Sequence, residues 1–404
     1  MSAEVKSGYK MTEVGVIPED WEVTTVGDIS EVKTGPFGST LHEKDYVSNG
    51  TPIITVEHLG ERGVYHNNLP MVSDTDKLRL KSYSLQKGDI VFSRVGSVDR
   101  NALIKASEDG WLFSGRLLRV RLKYKGIDSR YLSYCFHTEA FKQRVRAVAV
   151  GQTMASINTR ILMGIQTVIP PTKAEQRAIA EALSDVDALL EGLKRLVTKK
   201  RNIKQAAMQQ LLTGKTRLPG FSGEWEMKRL GEIAEIVMGQ SPSSTNYNTK
   251  GDGLPLIQGN ADIVNRRTIK RIFTSQVTKR GQAGDVLMSV RAPVGEVSRA
   301  TFEICLGRGV CAIRFPNDFL YHYLIYLEAN WAKHSKGSTF DSVNSADVNA
   351  AVVSLPPIAE QTAIAAVLND MDAELEALEK RRDKTSNLKQ AMMQELLTGK
   401  TRLL

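Results

Sequence analysis

Between residues 175 and 200 the apolar positions fall at helical intervals. Ile179, Leu183, Val186, Leu190, Leu193 and Val197 are spaced four, three, four, three and four apart. That is the seam of a coiled coil, a helix face that must bury itself against a partner. The spacing recurs in Ile364, Leu368, Met371, Leu375 and Leu378, with Arg382 where the first run has Val197. A proline pair precedes each run, Pro170-Pro171 and Pro356-Pro357, and Gly214 and Gly399 follow, so starts and stops are marked. Some 38 residues at 1.5 Å rise predict a rod of about 57 Å each time. Elsewhere the pattern shortens. GDIVFSRV, RLLRVRL, GDVLMSV and VCAIRF read as brief strands between Gly, Pro and Asn turns, and 129–149 and 318–335 read as helices.

The two seams belong to an internal repeat. Residues 175–218 and 360–403 align without a gap and match at 27 of 44 positions, both ending LLTGKTRL. Fainter echoes lie upstream: GQTMASIN at 151–158 with GSTFDSVN at 337–344, and WEVTTVGDISEVKTG from Trp21 with WEMKRLGEIAEIVMG from Trp225. The chain therefore reads as two variable globules, 1–168 and 219–354, each followed by a nearly constant helical segment, 169–218 and 355–404. The expected fold class is α+β: two pseudo-symmetric α/β-type globules separated by two long antiparallel coiled-coil helices. Antiparallel packing follows from connectivity, because the first rod must deliver the chain to the second globule and the second rod must bring it back.

Composition narrows the function without choosing it. With 42% hydrophobic and 25% charged residues, the chain has enough apolar surface for real cores and is not a disordered tail. Lys and Arg outnumber Asp and Glu by 54 to 45, a net +9 that favours a polyanionic partner, nucleic acid before others. Cys135, Cys305 and Cys311 form no CxxC pair and read as small buried hydrophobes in a reducing compartment. No stretch approaches the ~18 apolar residues of a membrane span, and the first residues lack a signal-peptide core, so a cytoplasmic protein with no membrane partner is expected.

Catalytic constellations are missing. TGKTRL invites a phosphate-loop reading, but that motif needs a glycine where this chain has Gln209 and Gln394, and here the motif follows a helix. A helix stop with a basic end is the better reading. An adenine methyltransferase would need Asn or Asp before Pro-Pro, and Ile169 and Leu355 stand there. No glycine fingerprint follows a strand, the loose cluster of Asp28 and Glu31 with Lys33 reads as solvated surface, and the histidines show no metal-ligand spacing.

Loop arginines give a more coherent signal, since Arg reads guanine bidentately and Asn or Gln reads adenine. Arg94 and Arg100 follow the first GD strand and Arg291 the second; Arg116 and Arg308 take equivalent places, one in each half. Arg266, Arg267, Lys270 and Arg271 form a basic cluster. In the Gly-Thr-Ser-Asn segments, Gln152, Thr153 and Asn158, with Thr339 and Asn344, are candidate base or phosphate contacts; a shared scaffold turn is the alternative. Lys194, Arg195, Lys199, Lys200, Arg201 and Lys204 crowd the first rod, as a solvated face or a contact to the DNA backbone.

Two variable globules, each followed by a Pro-Pro…Glu-Gln helix ending LLTGKTRL, resemble the specificity subunit of type I restriction-modification systems. The WEV…VGDI and WEM…LGEI openings and the GDVLMSVRAPVGEV and LGRGVCAIRF segments look like that family's target recognition domains. The resemblance implies a non-catalytic subunit with no cofactor or metal of its own. Each globule would read one half of a bipartite double-stranded DNA site. The paired helices would set the spacer and dock two modification subunits that methylate adenine N6 with S-adenosylmethionine. Restriction/translocase subunits, using ATP and Mg2+, would complete the full complex. The rival classes are a self-contained DNA enzyme and a scaffold whose coiled coil only joins proteins.

Overall fold

The computed structural model describes residues 6–36, 40–61, 63–151, 153–334 and 342–403. The chain divides into two compact units, Met1–Lys194 with Arg381–Leu404, and Arg195–Lys380. Each unit therefore combines one globule, the beginning of one long helix and the end of the other.

In the first unit an antiparallel sheet is formed by β1 (Ser30–Thr34), β2 (Ile90–Ser93), β3 (Asn101–Leu103) and β4 (Leu117–Leu122), in the order β3-β2-β4-β1. Both faces of β2 are buried, and strand alternation sorts them. Ile90 and Phe92, with Leu118 and Val120 of β4, pack against Phe136 of α1 (Ser129–His137) and Phe141 of the helix Glu139–Ala147. Phe92 and Phe136 meet edge-on at 5.1 Å between centroids, a geometry that adds about 0.5–1.5 kcal/mol to their burial. Val91 and Leu117 point the other way, onto Ile54 and Phe113 of a second, smaller sheet. The expected single helix over 129–149 is thus two. Thr138 ends the first turn sequence, and its hydroxyl caps the second helix by accepting from the Phe141 amide at 3.3 Å. Last come the strand Gln166–Ile169, paired antiparallel with Glu22–Thr25, and the long helix α2 (Lys173–Leu211).

The second unit repeats this plan. Its sheet contains β5 (Glu235–Met238), β6 (Val286–Ser289), β7 (Val297–Arg299) and β8 (Val310–Arg314) in the corresponding order β7-β6-β8-β5, extended past β7 by two short strands. Val286, Met288, Cys311 and Ile313 pack with Phe319, Leu320 and Leu324 of α3 (Phe319–His334), while Leu287, Val310 and Ala312 face Ile257, Ile304 and Leu306. The chain then forms the long helix α4 (Ile358–Leu396). The helices begin two residues after the first proline pair and directly after the second, as their spacing predicts.

Within each unit the helices run antiparallel, early residues of one facing late residues of the other. In the first unit Ile179 and Leu183 share a core with Leu396 and Leu397, and Lys389 meets Asp187 at 2.8 Å. In the second, Ile364 and Leu368 pack with Met208, Leu211 and Leu212. Of the seam, Ile179, Leu183, Leu190, Leu193, Val197, Ile364 and Leu368 are buried, and Val186, Met371, Leu375 and Leu378 half-buried. The basic run on α2 has a structural partner that the sequence reading did not give it. Lys200 bonds Glu374 at 2.8 Å, Arg201 bonds Glu379 and Lys204 bonds Asp372, all on the facing stretch of α4.

The repeated LLTGKTRL tails close the units. In the first, Arg402 forks onto Glu175 and Asp20, with 2.9 Å bonds to Glu175 Oε2 and Asp20 Oδ2, and its guanidinium lies 5.8 Å from the Trp21 ring centre. In the second, Arg217 forks onto Glu360, at 2.5 and 2.6 Å, and lies 5.8 Å from Trp225. Arg402 holds the Asp20 carboxyl below its ordinary range, chiefly through this hydrogen bond. Gly214 and Gly399 take left-handed conformations, at φ 68° and 71°, and a Cβ on Gly399 would stand 2.4 Å from Pro18. The glutamine of each Glu-Gln pair anchors the helix start: Gln176 donates to the Pro170 carbonyl at 3.1 Å, Gln361 to that of Pro356 at 2.8 Å. Glu-Gln, Trp-Glu and Lys-Thr-Arg thus recur because each unit needs one of each.

Candidate nucleic-acid interface

The exposed ends of the central strands carry the candidate arginines, on a frame that the two globules build with the same bonds. The Ser93 amide donates to the Arg100 carbonyl, and the Ser289 amide to that of Glu296, both at 2.9 Å. The Ser93 hydroxyl donates to the Val95 carbonyl at 2.8 Å, and the Ser289 hydroxyl to that of Arg291 at 2.7 Å. Val95 bridges antiparallel to Ser156, and Arg291 to Ser342. The amides of Ile157 and Val343 then donate to the carbonyls of Arg94 and Val290, at 2.9 and 3.0 Å. Asn158 and Asn344 finish the motif as N-caps: their Oδ1 atoms accept from the Ile161 amide at 2.9 Å and the Asp347 amide at 3.0 Å. The repeated Ser and Asn therefore hold backbone, and the buried Ile157 and Val343 between them plug the core.

Beneath this frame, Asp89 and Asp285 of the two Gly-Asp turns each grip an arginine of the next-but-one strand. Arg121 reaches Asp89 at 2.7 and 2.8 Å, and Arg314 reaches Asp285 at 3.0 Å. The carboxylate bond raises each arginine above its ordinary value. These arginines fix the strands and are not available to a ligand.

The remaining candidates separate into engaged and free. Arg100 donates to the Leu59 carbonyl, and Arg94 to that of Gly115 at 3.4 Å. Arg266, raised by its Glu328 bond, pairs with that residue and donates to the Val297 carbonyl. Arg267 pairs with Glu376 at 2.8 Å, Arg271 with Asp262 at 2.8 Å, and Lys270 lies 5.0 Å from the Phe302 ring centre. The basic cluster is thus engaged inside its own unit. Arg116, Arg291 and Arg308 are exposed, and their guanidinium groups have no partner among the described residues. Thr153 is exposed too; Gln152 and Thr339 lie outside the described residues.

One expected equivalence shifts by a residue. The Arg94 amide donates to the Arg116 carbonyl at 2.8 Å, but the Val290 amide donates to that of Gly309 at 2.9 Å, so Arg116 corresponds to Gly309 and Arg308 lies one position earlier. The cause is the second loop, in which Gly309 separates the arginine from the strand. Likewise Arg291 corresponds to Val95, not Arg94. Aligning Gly88-Asp89 on Gly284-Asp285 would have shown that in the sequence.

The cap assignments are testable. Asn158→Ala is expected to lower stability by about 1 kcal/mol, and Asn158→Ser, which also caps, to restore most of it, as read by chemical denaturation. Loss of DNA sequence recognition in a stable Asn158→Ser variant would instead mark the amide as a base contact.

Among the described residues no group of three His, Cys, Asp or Glu could hold a metal ion, and no helix is long and apolar enough to cross a membrane. The three cysteines are buried and unpaired, and burial pushes the Cys135 and Cys311 thiols up to about 12.

The chain matches, twice over, the family described as "Type I restriction modification DNA specificity domain", at residues 18–199 and 222–385. The MjaX specificity subunit assigned to a type I restriction enzyme of Methanocaldococcus jannaschii is 32% identical over 422 residues, covering 98% of this chain and 97% of that one. The chain belongs to the specificity subunits of type I restriction-modification systems. In fold it is similar to the crystal structure of an S subunit from M. genitalium, with a TM-score of 0.65, 16% identity and 98% of each chain covered. It is also similar to a chain from a structure of type I system assembly, with a TM-score of 0.57, 24% identity, and 95% and 99% covered. Its role is DNA specificity without catalysis, within a multisubunit complex that includes DNA and other subunits.

Proposed function

We propose that each globule reads one half of a bipartite duplex site, and that the paired helices fix the unread spacer and dock two modification subunits. Those subunits supply S-adenosylmethionine-dependent adenine methylation, and restriction/translocase subunits with ATP and Mg2+ complete the assembly. The observation that carries the reading is the duplication itself. Two globules hold the same hydrogen-bonded frame but present different exposed side chains, and the segments after them are nearly constant. A reader of two unlike half-sites needs variable surfaces; partners that are alike need constant ones.

The test is methyl transfer. The pure chain is expected to move no radiolabelled methyl group from S-adenosylmethionine to DNA. With its modification subunit it is expected to direct methylation to a two-part sequence with a fixed gap. Binding by that complex should weaken with salt, log K falling by about 0.9 per phosphate contact for each unit of log salt. Methylation by the chain alone, or a single undivided recognition sequence, overturns the reading.

A further inference from the structure

The duplication allows the chain to be compared with itself, bond for bond, at the exposed end of the central strand. Four backbone and hydroxyl contacts are the same in both globules: Ser93 or Ser289 to the strand turn, the same serine to the second residue beyond it, that residue to Ser156 or Ser342, and Ile157 or Val343 back to the strand. These contacts fix one position in space. Val95, half-buried, occupies it in the first globule and exposed Arg291 in the second.

We propose that this shared position is a base-reading seat, from which Arg291 pairs with a guanine in one half-site, whereas Val95 gives its globule only an apolar contact. The inference rests on the reading of each globule as a half-site reader, and it adds which residue reads and what it reads.

A contact to phosphate carries no sequence information, so two globules on one duplex have equal use for it and both should keep it. Arg116 and Arg308, one position apart in the shared frame, still give each globule an exposed arginine just before its inner strand, with no guanidinium partner among the described residues. A contact to a base must differ wherever the half-sites differ. The Val95/Arg291 seat changes from an apolar group to a five-donor fork on an unchanged backbone. The fork fits guanine O6 and N7, and a valine at the same place can touch only an apolar edge such as the thymine methyl. The Arg291 guanidinium has no partner among the described residues, so no bond to any of them need break for it to reach a base.

The test is methylome sequencing with the modification subunit present. Arg291→Ala is expected to relax one guanine position in one half-site on the order of tenfold to a hundredfold, and to leave the other half-site unchanged. Val95→Arg should add a guanine preference at one position of the other half-site. Arg116→Ala and Arg308→Ala should weaken binding to every site, lowering the salt slope by about 0.9 without altering the sequence read. If wild-type methylation is bipartite and Arg291→Ala leaves its sequence intact, the seat is wrong although the half-site reading stands. If wild-type methylation is not bipartite, the half-site reading itself fails. Should Arg291→Ala abolish methylation, Arg291→Gln decides, because glutamine pairs with adenine and not with guanine. A guanine position that relaxes or shifts towards adenine supports the seat, and an unchanged sequence or continued loss overturns it.

Discussion

Four residues inserted after Leu190, with four more after Ser386, are expected to lengthen the unread gap in the DNA target by one or two base pairs and to leave both half-sites as they were. The Asp187–Lys389 bond places these two points opposite each other, so the double insertion keeps the helices in step. Four helical residues add about 6 Å and slightly more than one turn. B-DNA rises about 3.4 Å per base pair, so the added length is somewhat under two pairs. The globules move apart with a rotation of about 40°, and no exposed loop is touched. Methylome sequencing reads the gap directly. Methylation at the original spacing, or a change in half-site bases, would show that the helices do not set the spacer.

The second large effect is expected from the tail of the chain. Arg402→Ala should destabilise the first unit by about 3–5 kcal/mol, because it leaves the Glu175 carboxylate, whose side chain is 1% exposed, buried without its cation. Thermal unfolding should show an early transition absent from the wild type. Arg217→Ala should lower the melting temperature of the second unit, since the Glu360 side chain is fully buried. A loss below about 1 kcal/mol in Arg402→Ala would place its pair among ordinary surface ion pairs.

Much of this architecture is legible in the residues. The four-three spacing of Ile179 through Val197 is a helical period and nothing else, and repetition at a fixed offset needs no propensity argument. The strands GDIVFSRV and GDVLMSV announce themselves because both faces are buried. What the sequence conceals is partnership. Nothing near Arg402 says that its carboxylates are Glu175 and Asp20, because those contacts close over long chain separations. Nor does the basic run at Lys200, Arg201 and Lys204 reveal that acidic residues of the other helix await it. The candidate interface divides the same way. Seven of the named arginines, Arg94, Arg100, Arg116, Arg266, Arg267, Arg291 and Arg308, look alike as letters, and only hydrogen bonds separate the engaged ones from those without a partner among the described residues. The Val95/Arg291 match was within reach, since it needs only the Gly-Asp turns to be superimposed. It escapes notice because a valine gives no chemical signal.

The closure of the first unit by the last residues of the chain has a consequence during synthesis. Ile17, Trp21, Ile179 and Leu183 share their core with Leu396 and Leu397, which leave the ribosome after roughly 200 further residues have been added beyond Lys194. At about 5–20 residues per second that interval is on the order of 10–40 s. The second unit, a single uninterrupted stretch of chain, can finish first. The globule translated earliest is therefore the last to be sealed, and a ribosome that stalls inside α4 releases a product with its first apolar face still open to solvent.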